Sequence, residues 1–121
     1  MRRALLLAVL FAAQPPALAD DGAAVFSEHC ADCHTLGPGR ARRGPPLAGI
    51  VGKSAAGVAN YRYSDAMRQA QIVWSRERLT SFLANPRQDL PGTRMRMRKE
   101  LSQQELAALL GYLENSGQPA R

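Results

Sequence analysis

Cysteine, long apolar runs and aromatic side chains are all scarce in this 121-residue sequence. Two cysteines cannot build a network of disulfides. The apolar run at residues 4–13 is about half as long as a helix that spans a bilayer. Basic and aromatic residues are not interleaved, so the net charge of +6 does not indicate nucleic-acid binding. The sequence shows no Ser-His-Asp set, no phosphate-binding loop and no carboxylate pair, so it does not indicate a hydrolytic enzyme.

The first 19 residues are typical of an export signal. Arg2 and Arg3 precede the apolar run, and residues 17–19 form an A-x-A cleavage site. We expect cleavage after Ala19, which leaves residues 20–121 as one periplasmic domain with 14 basic and 10 acidic residues. The alternative is an uncleaved membrane anchor. A modest positive charge would steer the exported protein toward acidic faces of partner proteins.

Both cysteines lie in residues 30–34, which read C-A-D-C-H and match the C-x-x-C-H pattern of covalent c-type haem attachment. The thiols of Cys30 and Cys33 can add to the two vinyl groups of one porphyrin, and His34 can then bind the iron. A thioredoxin-like redox pair would need a βαβ pattern, which the sequence does not show. A zinc site needs four converging ligands, whereas the histidines and cysteines here occur as adjacent pairs.

The sequence predicts four helices, each opened by a capping side chain. They run from Asp20 or Asp21 to about Cys33, from Ser64 through Gln71, from Ser75 to near Asn85 before Pro86, and from Ser102 toward Gly117. The last helix begins with a capping box and carries leucines at positions 106, 109, 110 and 113. Residues 35–63 and 88–99 are predicted loops, so the fold is all-α. The first loop is long enough to wrap a flat cofactor.

The chain resembles class I cytochrome c, of the mitochondrial and bacterial soluble type, through nearly all of residues 20–117. Several separate motifs carry this resemblance in the same order along the chain. They are Gly22 and Phe26, C-A-D-C-H-T at 30–35, G-P-P-L-A-G at 44–49, Y-R-Y-S at 61–64, Trp74, F-L-A-N-P at 82–86, P-G-T-R-M at 91–95 and L-x-x-Y-L ending at Leu113.

The resemblance implies the class I cytochrome c fold, with four or five short helices and loops around one covalent haem c. The first and last helices would cross, with Gly22, Phe26, Leu109 and Tyr112 at their contact. The Pro45 carbonyl would accept a hydrogen bond from His34, which fixes the tautomer of the imidazole.

The resemblance also implies contacts on the other parts of the haem. Met95 would be the second axial ligand, and Tyr63 and Trp74 would reach a buried propionate. Plain core packing is the alternative for Trp74. Three other side chains compete with Met95 as ligand: Met67, Met97 and His29.

The sequence departs from the family pattern at four places. Phe82 stands where the family commonly has a tyrosine near the methionine sulfur, and it cannot donate a hydrogen bond. Met67 replaces a buried asparagine, and Lys53 replaces an arginine that faces a propionate. Residues 96–100 read R-M-R-K-E, where the family tends to be apolar and to contain glycine.

These observations predict a monomeric electron carrier, not an enzyme, whose iron cycles between Fe(III) and Fe(II). Two basic clusters would surround the exposed haem edge: Arg87, Arg94, Arg96, Arg98 and Lys99, and Arg40, Arg42 and Arg43. The expected partners are redox proteins with acidic surfaces, such as a quinol:cytochrome c oxidoreductase, a terminal oxidase or a periplasmic dehydrogenase. One alternative is a dedicated haem subunit of such a dehydrogenase. Another is a gas-binding or peroxidatic haem protein, which requires that Met95 is not a stable ligand.

Overall fold

The computed structural model describes residues 21–37, 39 and 41–117. Five helices occur in these residues: α1 (Gly22–His29), α2 (Asp65–Gln69), α3 (Arg76–Ala84), α4 (Pro86–Asp89) and α5 (Gln103–Asn115). The described part of the chain contains no β-strand, only an isolated bridge between Ser54 and Val73. The predicted all-α fold is therefore confirmed. The predicted export signal lies outside the described residues.

Three of the predicted caps start their helices. The Ser64 side chain accepts a hydrogen bond from the backbone N–H of Met67, and Ser75 opens α3 in the same way. Ser102 forms a full capping box with Glu105, since each side chain accepts a hydrogen bond from the other residue's backbone N–H. By contrast, the Asp21 side chain makes no capping hydrogen bond to α1.

The predicted boundaries are wrong at three places. The first helix ends at His29 instead of Cys33, because Cys30 has a φ of −118° and the following residues form turns. The second ends at Gln69, and Gln71 adopts a left-handed φ of 52°. The predicted loop from residue 88 begins inside α4, whose start is capped by Asn85.

Helices α1 and α5 cross at the contact that the family resemblance implies. A Cβ atom on Gly22 would lie 2.3 Å from the Ala108 carbonyl oxygen, so only glycine allows this approach. The Phe26 and Tyr112 rings pack with their centroids 5.9 Å apart. Leu109 is fully buried at 0% exposure, and α3 packs against both α4 and α5. This frame holds the two ends of the domain together beside the candidate site.

No helix in the described residues is long and apolar enough to cross a membrane.

Candidate haem-binding site

A cavity of about 970 Å³ lies among the five helices and the long loops. Its volume is at the upper end of the range for ligand pockets. The wall contains all eight residues that the sequence analysis assigned to the cofactor: Cys30, Cys33, His34, Pro45, Tyr63, Trp74, Phe82 and Met95. Leucines from α3 and α5 complete much of the apolar lining. The structure therefore brings the predicted site residues together on one surface.

The two thiols lie in the turns that follow α1. Cys30 is buried and Cys33 is half-buried, and both are unbridged. Burial raises the pKa of the Cys30 thiol to about 11, and the charge on Cys33 adds to the rise. Redox-active C-x-x-C pairs have the opposite property, a lowered thiol pKa. The environment of Cys30 therefore disfavours thioredoxin-like chemistry and suits a buried, uncharged sulfur.

His34 is held in one orientation by the loop that follows it. Its Nδ1 donates a hydrogen bond of 2.8 Å to the Pro45 carbonyl oxygen, as the family resemblance implies. This bond leaves Nε2 as the ring atom that can bind a metal. Burial lowers the pKa of the imidazole, against a smaller rise from the Pro45 hydrogen bond. The net effect favours the neutral imidazole, which is the form that binds metals.

Gly44 allows the loop to lie directly against the histidine ring. A Cβ atom at this position would lie 2.3 Å from Cε1 of His34, which is far inside van der Waals contact. From the sequence, Gly44 is only the first residue of the motif at residues 44–49, with no predicted role of its own. The sequence feature that could have identified Gly44 is its position immediately before Pro45, whose carbonyl orients the imidazole.

Another part of the wall carries the predicted thioether. Met95 is half-buried, and its backbone N–H donates to Oγ1 of the buried Thr93 at 3.3 Å. Phe82 is only 3% exposed and packs on Trp74 with the ring centroids 5.1 Å apart. Two of the competing ligands, Met67 and Met97, also line the cavity. The structure therefore presents three thioethers to the same space.

The predicted propionate contacts stay predictions, but the structure gives the local environment of each group. The Tyr63 hydroxyl oxygen accepts a hydrogen bond of 3.1 Å from the backbone N–H of Val58, so its own proton can be donated elsewhere. Burial raises the pKa of Tyr63, so this hydroxyl stays protonated at neutral pH. Lys53 also lines the cavity, and its Nζ donates to the Ala48 carbonyl oxygen at 3.2 Å.

His29, the remaining competitor, lines the cavity but lies next to two carboxylates. Its side chain is 6% exposed, and its Nε2 lies 3.6 Å from Oε1 of Glu105 and 3.9 Å from Oε1 of Glu28. Within the described residues this nitrogen has no hydrogen-bond partner. Sequence reasoning missed the Glu105 contact, since nothing local relates two residues that lie so far apart along the chain.

Arginines surround much of the cavity. The lining includes Arg43, Arg87, Arg94, Arg96 and Arg98. Arg42 lies outside this lining and donates instead to the Ala31 carbonyl oxygen at 2.8 Å. Lys99 is exposed and is also outside the lining, so the structure only partly reproduces the two predicted clusters. Arg40 lies outside the described residues.

The side chains on this wall fit a covalently attached haem. Two thiols, a neutral imidazole and thioethers are the attachment groups and axial donors that haem c uses. The hydrogen bond from His34 to Pro45 supplies the orienting contact that metal-bound imidazoles commonly have. The leucines and aromatic rings supply a large apolar surface for a porphyrin.

Comparison with known proteins gives the same family as the motifs. A family model for cytochrome c matches residues 19–117. Cytochrome c of Theileria parva is 40% identical over 96 residues, which cover 78% of this chain and 83% of that protein. Cytochrome c of Cannabis sativa is 34% identical over 103 residues, covering 84% and 93%. Cytochrome c of Gossypium barbadense is 35% identical over 107 residues, covering 88% and 96%. The chain therefore belongs to the cytochrome c family, as a class I haem-based electron carrier that binds haem c covalently.

Proposed function

We propose that this protein is a periplasmic electron carrier with His34 and Met95 as its axial ligands. The single observation that supports this most strongly is the cavity wall, which carries the two thiols, the oriented imidazole and the thioether together. Haem c supplies a one-electron Fe(III)/Fe(II) couple when it is bound. The protein supplies the ligands, an apolar pocket and a surface for partners, and it catalyses no reaction of its own.

The choice of the second axial ligand raises or lowers the reduction potential of the haem. Methionine sulfur is a softer donor than imidazole and favours the ferrous state, so His/Met ligation raises the potential relative to two histidines. The apolar neighbours Phe82 and Trp74 support this by keeping water from that part of the pocket. These features suit a carrier that accepts electrons from one protein and passes them to another.

The first experiment tests attachment and ligation together. The purified protein should keep its haem in acidified organic solvent, and a Cys30→Ala/Cys33→Ala variant should be colourless. The ferric protein should show the weak red charge-transfer band of sulfur-bound haem and should not bind carbon monoxide when reduced. Met95→Leu preserves side-chain volume, and it should remove most of the band and lower the potential. A wild type that binds carbon monoxide readily would favour a gas-binding protein instead.

The arginines around the cavity suggest how partners dock. Arg87, Arg94 and Arg96 would attract a redox protein with an acidic surface, such as a quinol:cytochrome c oxidoreductase, a terminal oxidase or a periplasmic dehydrogenase. Exposed charges are screened within about 10 Å at 0.1 M salt. Electron transfer to such a partner should therefore slow steeply as ionic strength rises.

Charge reversal locates the docking surface. Arg96→Glu should lower the association rate strongly. Arg68→Glu is the matched control, since Arg68 is exposed on α2 and lies outside the cavity lining. Equal effects at the two places would contradict docking at the cavity. A carrier held permanently in a dehydrogenase complex would instead co-purify with that complex at high salt.

The export signal predicted at residues 1–19 supports the periplasmic location, and a separate experiment tests it. Residues 1–19 should be absent from the mature protein, whose first residue should be Asp20. N-terminal sequencing of the haem-containing protein from a periplasmic extract checks this. Recovery of the intact N-terminus in the membrane fraction would contradict cleavage and would favour the anchor.

A further inference from the structure

Residues 94–98 alternate between two environments. All five residues line the cavity, but Arg94, Arg96 and Arg98 are exposed, whereas Met95 and Met97 between them are half-buried. Residues 95–97 belong to no helix or turn. In an extended chain, residues two apart project from the same side. The segment therefore presents two thioethers, one after the other, to the same space.

Few hydrogen bonds fix the position of this segment along its length. Within the described chain, no backbone–backbone hydrogen bond joins residues 94–101 to any other residue. Three hydrogen bonds that involve side chains hold them instead, and Met95, Met97 and Leu101 pack against the core. Thr93 Oγ1 accepts from the Met95 N–H, the Arg94 guanidinium donates to the Arg62 carbonyl, and Arg98 Nη1 lies 2.6 Å from Oδ2 of Asp32.

We propose that Met97 is a second axial ligand, which replaces Met95 when this segment slides by two residues. The inference rests on the proposed His34/Met95 ligation. The bond from the Met95 sulfur to iron breaks and a bond from the Met97 sulfur forms, with no change in electrons or protons. A slide of one residue would move exposed arginines to the half-buried positions of the methionines, whereas a slide of two moves Met97 to the place of Met95 and the long side chain of Lys99 to that of Met97.

The ion pair between Arg98 and Asp32 favours the register in which Met95 is bound. Asp32 lies inside the attachment motif, so the pair joins the motif to the methionine segment. A slide of two residues moves Arg98 by about 6.6 Å, which separates it from Asp32. Both side chains are about 70% exposed, so the pair can bias the registers by about fivefold at most, the equivalent of about 1 kcal/mol.

The red charge-transfer band of the ferric protein tests the exchange. Met95→Leu should keep a residual band, and Met95→Leu/Met97→Leu should lose it. Met95→Leu/Met67→Leu is the matched control, because it removes another thioether of the same cavity and should keep the residual band. These replacements conserve volume, so folding is preserved.

Three results of this experiment are distinct. A band that Met95→Leu removes completely would contradict the exchange and leave the proposed function intact. A residual band that disappears in Met95→Leu/Met67→Leu would come from the Met67 thioether, and this result would also contradict the exchange. A wild type without any sulfur band would contradict the proposed ligation itself.

The role of the ion pair is tested in the ferrous protein labelled at the methionine methyl carbons. The methyl group of an iron-bound methionine is shifted strongly by the porphyrin ring current, so each bound methionine gives its own resonance. Asp32→Asn should raise the ratio of Met97-bound to Met95-bound protein by up to about fivefold. Asp65→Asn, which breaks an exposed ion pair with Arg68 on α2, should leave the ratio unchanged. A single shifted methyl resonance in both variants would overturn the proposal.

Discussion

The crossing of α1 and α5 can be tested by adding one methyl group at Gly22. A Cβ atom there would lie 2.3 Å from the Ala108 carbonyl oxygen and 2.5 Å from Cβ of Tyr112, whereas ordinary contacts begin at 3.4 Å. Neither atom can move by a side-chain rotation. Gly22→Ala therefore forces α1 to retreat from α5 by about 1 Å, with a cost of about 1–3 kcal/mol that is typical of overpacking.

The same substitution at Gly111 is the matched control. Gly111 lies within α5, and a Cβ atom there meets nothing within 4 Å. Alanine is a better helix former than glycine by about 0.8–1 kcal/mol, so Gly111→Ala should stabilise the protein by this amount. The two variants should therefore differ in their free energy of unfolding by about 2–4 kcal/mol.

Urea unfolding of the haem-loaded proteins measures this difference. The slope of the free energy against urea should stay the same in all three proteins, and only the midpoint should move. In thermal unfolding, each kcal/mol corresponds to about 4–8 °C for a domain of this size. If Gly22→Ala were as stable as Gly111→Ala, the close approach of the two helices at Gly22 would be refuted.

Three further changes test the last helix and the haem pocket. Ser102→Ala removes the side-chain cap of α5 and should lower the free energy of unfolding by about 1 kcal/mol, measured with urea. The pKa of Glu105 is lowered, mainly by the hydrogen bond from the Ser102 N–H. Its contribution to stability is thus complete above its unfolded pKa and is lost as the pH falls through the folded pKa, so Glu105→Gln should show a shallower loss of thermal stability below about pH 5. Phe82→Tyr should raise the reduction potential, measured by voltammetry, because a hydroxyl donor would weaken electron donation from the Met95 sulfur. An unchanged potential in a stably folded variant would show that this side chain does not face the ligand.

Local signals predicted α3 and α5 well because their limits are set by neighbouring residues. The capping box of α5 involves residues three apart, and Pro86 ends α3 because proline restricts the residue before it. The end of α1 was not predictable in this way, since the residues of the attachment motif leave the helix to form turns. The sequence between residues 30 and 33 contains no glycine or proline that would have marked this end.

Family motifs pointed to the eight residues that line the cavity together and to the hydrogen bond between His34 and Pro45, whereas no motif related two other contacts beside the cavity. The ion pair of Asp32 with Arg98 and the approach of His29 to Glu105 each join distant parts of the chain. The alternation of arginine and methionine at residues 94–98 was visible in the sequence as a period of two, which is typical of an extended segment. We interpreted its arginines as a charged surface, and only the structure relates them to the inward methionines.

The helix crossing and the haem pocket share side chains, so a change at one should be detectable at the other. Leu109 is fully buried in the core and also lines the cavity, and it follows Ala108, whose carbonyl faces Gly22. A retreat of α1 also moves the attachment motif, which begins directly after His29. Gly22→Ala should therefore weaken the sulfur charge-transfer band as well as the fold, because it displaces the motif that carries His34 relative to Met95. Gly111→Ala leaves both helices in place, so it should change stability without changing the band.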